Sequence, residues 1–325
     1  MIQRRACLQS LGALAAAVVW PAAAQTDFPS RPIRVLLPFA AGGAPDILAR
    51  LITQAVTQQN AAYNFVIDNR PGGNGIIATD ATAKAAADGY TLLYTTGSHT
   101  INSHVYKKIP YDIAKDFVAV TQVRTAPGVV LVVNPALPAK NLQEFLSLAR
   151  AGKVAYGSPG VGNTLHLPGE LLNMMAGAKM LHVPYKGAAP ALNAVISGEI
   201  QAAFLSVTAA LPPMKANQVR ALAVSSPARL PGLPDVPTIA EAGVPGYEID
   251  GGWQGFFAPA GTPADVVKKL SQQLAGAIRS PEIQQRILSD ASVPVGNTSA
   301  EFEKFVAADA ERVGKIVKSV GISID

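Results

Sequence analysis

The sequence predicts an α/β protein of two domains, each built on a mainly parallel sheet, with a ligand cleft between them. Three observations carry this. Apolar runs that read as strands are followed one after another by glycine-containing turns and helical stretches, a second series of such units begins near residue 128, and strand character returns late, before three closing helical segments. With 325 residues, 49% of them hydrophobic and 15% charged, the chain can bury more than one core.

The first strand is the apolar run Ile33 to Leu37. Pro38 checks it, Gly42 and Gly43 permit a tight turn, and Ile47, Leu48, Leu51 and Ile52 mark a helix that Asp46 can cap. Strand, turn and helix in this order gather backbone N–H groups at the strand's carboxyl end, where the helix dipole favours an anion. The nucleotide loops are excluded, because the stretch has neither the G-x-G-x-x-G fingerprint nor a Lys followed by Ser or Thr. A second strand, Phe65 to Ile67, runs into the glycine-rich turn Asn69 to Gly75 and an alanine-rich helix from Ile77 to Ala87. A third, Leu92 to Tyr94, delivers Ser98 and His99 to the same edge. Right-handed crossovers bring the three loops together at one end of the sheet.

Tyr106 to Phe117 reads as irregular, and Val118 to Val123 and Val129 to Val133 as strands. The second series follows: a helix over Leu142 to Leu148, a short strand at Val154 to Tyr156, the turn Gly157 to Thr164, and a helix through His166, Leu167, Leu171 and Leu172. Next come strand Leu181 to Val183, a helix around Leu192, Val195 and Ile196, strand Ala202 to Leu205 ending at Ser206 and Thr208, and strand Val219 to Val224. Pro227 to Pro237 is too proline-rich for a core element. Strand character returns between Gly251 and Pro263, before helices at Ala264 to Ile278, Pro281 to Ser289 and Ser299 to Val320. If these cover the first sheet, the first domain holds residues 27–127 and 250–325, and the second, residues 128–249, is inserted into it.

Residues 1–26 read as an export leader: basic at Arg4 and Arg5, apolar from Leu8 to Trp20, and small at Ala22 to Ala24. Either the general secretory or the twin-arginine route fits, whereas the apolar stretch is short for a membrane anchor. Cleavage would remove Cys7, the only cysteine, and lower the formal charge from +5 to +3. The exported chain would then be soluble and monomeric, with no disulfide, no thiol nucleophile and no basic-aromatic patch for nucleic acid.

The chemistry that remains is binding. One wall of the cleft would be Phe39, Ala40, Ala41, Gly42 and Gly43, with Asp46 either capping the helix or ordering water; the other would be Ser158, Gly160, Gly162, Asn163 and Thr164. Ser98 and Thr208 add hydroxyls, while Phe39 and Tyr185 either line the cleft or pack in a core. His99 and His166 lie near the loops, as neutral hydrogen-bonding groups or as satisfied structural histidines. The four histidines match no metal-ligand spacing, so neither metal nor cofactor is expected. Gly157-Ser158-Pro159-Gly160 lacks the spacing of a G-x-S-x-G nucleophile elbow, and no paired carboxylates suggest an enzyme.

Five ordered motifs, together with the leader, resemble the Bug family, the periplasmic solute receptors of tripartite tricarboxylate transporters. They are Pro38 to Asp46, Asn69 to Gly75, Gly157 to Gly162 with His166-Leu167, His182 to Gly187, and Trp253 to Pro263. The resemblance spans essentially the whole mature chain. It implies a Venus-flytrap fold and a small carboxylated solute, such as an amino acid, a di- or tricarboxylate or an aromatic acid. It also implies that main-chain groups and bridging waters of the Phe39 to Gly43 loop hold a carboxylate while the Ser158 to Thr164 loop completes the clamp. The implied partner is a transmembrane carrier, or alternatively a membrane signalling protein.

Overall fold

The structure is a computed structural model that describes residues 28–324. The expected leader, with Arg4, Arg5 and Cys7, lies outside the described residues. In chain order the strands are β1 (Ile33–Leu37), β2 (Phe65–Asn69), β3 (Thr91–Thr96), β4 (Phe117–Thr125), β5 (Val130–Val133), β6 (Ala155–Ser158), β7 (Leu181–Pro184), β8 (Ala202–Leu205), β9 (Arg220–Val224), β10 (Trp253–Pro259) and β11 (Val293–Pro294). The α-helices are α1 (Ala44–Gln59), α2 (Ile76–Ala83), α3 (Ser98–Val105), α4 (Leu142–Arg150), α5 (Leu167–Ala176), α6 (Ala188–Ser197), α7 (Val207–Lys215), α8 (Ala264–Ile278), α9 (Pro281–Ser289) and α10 (Ser299–Val320).

Two sheets divide the strands. The first has the order β11-β4-β10-β3-β1-β2 and the second β7-β6-β8-β5-β9, so the late strands β10 and β11 do return to the first sheet. The expectation of mainly parallel sheets is overturned: both are mixed. The βα units are parallel, β1 with β2 and β3, and β6 with β7 and β8. However, β10 runs antiparallel to β3 and β4, β11 to β4, and β5 to β8 and β9. A helical crossover returns the chain to pair in parallel, whereas strands fed by the segments that pass between the sheets arrive from the other direction.

Helices cover both faces of each sheet. The buried face of α1 carries Leu48, Ala49, Ile52 and Val56 at helical spacing, and these pack with Leu270, Leu274 and Ile278 of α8 on one side of the first sheet. On the other side Trp253, Phe257 and Phe302 of α10 form an aromatic layer. A Thr298–Glu301 capping box starts α10, and Gly321, at φ 70°, ends it in the left-handed conformation. The second sheet lies between a layer containing Phe145, Leu146 and Leu172 and another containing Val195, Val207 and Leu230. The first of these layers also takes in Ile101 and Val105 of α3 and Val313 and Val317 of α10, so one apolar cluster joins the two domains.

The chain passes between the sheets at residues 126–129 and again at residues 250–252. The two passages are paired, Ala126 N–H donating to the Gly252 carbonyl (2.8 Å) and Gly251 N–H to the Ala126 carbonyl (2.9 Å). Side chains latch them. Arg312 of α10 reaches Asp250 and Asp309, both at 2.6 Å, and the second Asp309 oxygen accepts from the Thr100 hydroxyl (2.6 Å) and the Trp253 indole (2.8 Å).

Candidate functional site

The first wall follows from the break after β1. Gly43, extended at φ −72°, precedes α1, and Pro45 in the first turn has no N–H to lose. The Ala44 and Asp46 amides therefore point out of the helix end without intrahelical partners. Gly42 sits at φ 80° with empty space where a side chain would be, and Ala40 and Ala41 are exposed. Asp46 belongs to the scaffold of the turn. Its buried carboxylate accepts from Gly42 N–H (2.9 Å), Asn69 Nδ2 (2.9 Å) and Arg50 Nε (3.0 Å), and Asn69 also donates to the Phe39 carbonyl (3.0 Å). Burial works to raise the Asp46 pKa, but the bonds from Arg50, Asn69 and Gly42 together outweigh it and hold the carboxyl below its usual range. The Phe39 ring packs against the first-domain core.

The second wall is the turn between β6 and α5. Gly160, at φ 140°, also faces empty space. Asn163 organises the turn: its amide donates to the Gly160 carbonyl (3.2 Å) and its side-chain oxygen accepts from Leu165 N–H (3.0 Å). Gly162, at φ 74°, lies against Val105 and Asn74 of the first domain, where an added Cβ would come within 3.2 Å of Val105. Thr164 packs into the notch left by Gly97 and Gly252. Asn74 is itself held in an amide pair with Asn102, whose side chain it donates to at 2.8 Å and from which its carbonyl accepts at 3.0 Å. Beneath this seam a cavity of ≈ 20 Å³ lined by Thr164, Trp253, Asp309 and Arg312 has room for about one water.

Two of the expected contact residues, His99 and Ser158, are buried in the structure. His99 is only 1% exposed and stands among Phe117, Phe257 and Tyr111, with ring centroids at 5.0, 4.8 and 6.3 Å. Neither of its nitrogens has a hydrogen-bond partner, and burial pushes its pKa down to about 3. The Ser158 hydroxyl is fully buried. It meets His182 Nε2 at 2.7 Å and the Gly160 carbonyl at 3.0 Å, so it shapes the loop and is not offered to a solute as a nucleophile. Ser98 is buried at the start of α3. Tyr185 turns its hydroxyl to Glu199 (2.9 Å) and its ring toward Gly157, so it packs within the second domain. Thr208 lies in the first turn of α7, partly exposed, beside the Ser206 cap (3.4 Å).

Asn69 and Asn74, which fix the first wall and the seam, and His182, which lies with the expected His166 under the second wall, are not singled out as site residues by the sequence. For His182 a signal was present, because β7 follows β6 in a βα series and pairing them in parallel sets it beside Tyr156. Among the described residues no cluster of His, Cys, Asp and Glu is disposed to hold a metal, and no helix is long and apolar enough to cross a membrane.

Two α/β domains on paired passages, with amide-rich turns opening from each at the carboxyl ends of its parallel strands, define a two-domain solute-binding protein. The family model described as "Tripartite tricarboxylate transporter family receptor" matches residues 48–322, and the chain belongs to that family. It is 33% identical to protein BugT of Bordetella pertussis, over 95% of each chain. Among solved structures, R. palustris Rpa4515 with adipate superposes with a TM-score of 0.84 at 36% identity, covering 91% of this chain and 99% of that one. The periplasmic binding protein BugD superposes at 0.82 with 29% identity, over 91% and 99%.

Proposed function

We propose that the chain is a periplasmic receptor that captures a small carboxylate between its two domains and hands it to a transmembrane carrier. One observation carries this reading: Gly42 and Gly160, on opposite walls, both look onto open space at the ends of parallel βα units. Arg50 on the first wall is held by Asp46 and Asn69, and the amides at the start of α1 add backbone donors there. The solute carboxylate would bind the turn from Phe39 to Gly43 with the first amides of α1, and Gly160 to Asn163 would close over it, waters bridging the remaining gaps. Adipate in the related Rpa4515 makes aliphatic dicarboxylates the first class to try.

The same reading assigns residues 27–127 and 250–325 to the first domain and residues 128–249 to the second, a division supported by the sheet membership of the strands. Closure of one domain on the other would be driven by contacts the ligand makes only in the closed state. The test is a thermal-shift screen of the purified protein against aliphatic and aromatic mono-, di- and tricarboxylates and amino acids, with calorimetry on each hit. A saturable one-to-one complex, a raised melting temperature and chemically unchanged ligand are expected. Binding confined to solutes without a carboxylate would reject the reading.

A further inference from the structure

His166 and His182 lie under the second wall, and the sequence offers no catalytic use for them. Each holds a different part of the loop. Gly162 N–H donates to His166 Nδ1 (3.2 Å), while His182 Nε2 meets Ser158 Oγ (2.7 Å), which donates to the Gly160 carbonyl (3.0 Å) and accepts from Gly160 N–H (3.2 Å). The two imidazoles are stacked at a slant with centroids 4.0 Å apart. Facing His166 are His182 on β7, Tyr156 on β6, Glu170 one turn along α5 (Oε1 3.6 Å from Nε2) and, beyond Tyr156, Tyr247, which donates to the Pro168 carbonyl. Tyr156 also donates to Glu170 Oε1 (2.5 Å).

Because Nδ1 of His166 accepts from Gly162, the neutral ring carries its proton on Nε2, toward Glu170. A second proton can enter only at Nδ1, where it would face the Gly162 N–H, donor against donor. The Glu170 carboxylate faces the opposite nitrogen as a countercharge, and the lost Gly162 bond makes a proton on Nδ1 consequential. Burial works to raise the Glu170 pKa, but the bonds from His166 and Tyr156 together outweigh it and keep the group ionised. His182 stays neutral beside it, its pKa pushed down to about 4 by burial and then by its neighbour His166. The loop has little room to adjust, since Gly162 is in the left-handed region and lies against Val105 and Asn74 across the domain seam.

We propose that His166 is a proton-operated catch: unprotonated, it holds Gly162 and sets the second wall for binding, and protonated, it frees the loop and releases the anionic solute. The proposal rests on the receptor reading for what the loop binds. His166 acts through Gly162 and is a positioning residue. By linkage, bound solute and the extra proton exclude one another.

The test follows the Gly162 amide by nuclear magnetic resonance between pH 7.5 and 5.5 without ligand, and measures adipate affinity by calorimetry at both ends of that range. In the unsubstituted protein the Gly162 resonance should move together with the His166 ring signals. Adipate binding should weaken at least tenfold more than in His166→Asn, which keeps an acceptor near the place of Nδ1 but takes no proton. Protonation of adipate itself affects both proteins alike and drops out of the ratio. Glu170→Gln, which removes only the countercharge, should displace the Gly162 titration to lower pH. A Gly162 resonance that ignores pH, a titration unmoved in Glu170→Gln, or equal weakening in His166→Asn overturns the catch. Absence of adipate binding at either pH counts against the receptor reading for that acid, while the amide titration still decides the proposal.

Discussion

His99 marks the distance between a residue's place in the sequence and its place in the fold. It follows β3 at the edge where the loops gather, which made a hydrogen-bonding role reasonable. Its surroundings, however, come from Phe117 on β4 and Phe257 on β10, strands that no local pattern brings to it. The consequence is a pH dependence. In the unfolded chain the imidazole takes a proton below about 6.5, whereas in the folded protein burial holds the pKa at about 3. Stability tied to this group is therefore fully present above 6.5 and lost as pH falls toward 3, by about 1.4 kcal/mol for each pH unit. His99→Leu should leave stability at pH 7 equal or higher, because it removes two unpartnered nitrogens, and should flatten the loss between pH 6 and 4 by the equivalent of one proton. Urea unfolding at stepped pH measures both, and an unchanged slope would show that His99 is not the group responsible. Asp46 was more legible. A carboxylate in the first turn after paired glycines reads as a cap, whereas in the structure Gly43 is the N-cap with no side-chain cap bond and Asp46 reaches back to Gly42 and sideways to Asn69 and Arg50.

At the level of elements, the strands and helices with a clean hydrophobic period were readable, including the first-sheet membership of the returning strand. Pairing direction was not, because it depends on how the chain passes between the sheets at residues 126–129 and 250–252, which an alternation of apolar residues does not encode. Two short helices also escaped: α3, nearly all polar until it meets Asp309 and the seam, and α7, whose Pro212 and Pro213 argue against a helix on propensity alone. The loops between elements read in the sequence as candidate anion sites, and one can be tested apart from its fold. Gly160→Ala and Gly160→Asp impose the same left-handed backbone strain, roughly 1 to 3 kcal/mol, and differ chiefly in the charge. Against a carboxylate at about 6 Å across partly wet space, one added negative charge is worth roughly tenfold in affinity. Calorimetry with a carboxylate hit should find Gly160→Asp about tenfold weaker than Gly160→Ala, with circular dichroism alike for the two. Equal affinities would take this loop out of the clamp.

For the whole molecule, the proposed closure of one domain on the other would act on the second passage, where the latch ties it to α10 in electrostatic terms. Two carboxylates, Asp250 and Asp309, share one guanidinium. Burial tends to lower the Arg312 pKa, but the two anions outweigh it and raise it. For Asp250 burial is the larger effect and raises the carboxyl above its ordinary range, with Arg312 only partly opposing. A carboxyl whose folded pKa lies above the unfolded value stabilises only at low pH, and that contribution is lost as pH rises through the folded value. Above that folded value, then, the Asp250–Arg312 pair holds the passage to α10 without adding to overall stability. Asp250→Asn keeps an oxygen for the Gly252 N–H and leaves Arg312 to Asp309, so the melting temperature should stay level or rise. The passage itself loses its ionic tie to α10, the helix whose Val313 and Val317 lie in the cluster joining the domains. Small-angle scattering of the unliganded variant should then report a larger radius of gyration. The affinity for a carboxylate hit should fall by the factor through which the closed form is depopulated. A variant as compact and as tight-binding as the unsubstituted protein would mean that the backbone pairing of Ala126 with Gly251 and Gly252 sets the domain angle unaided.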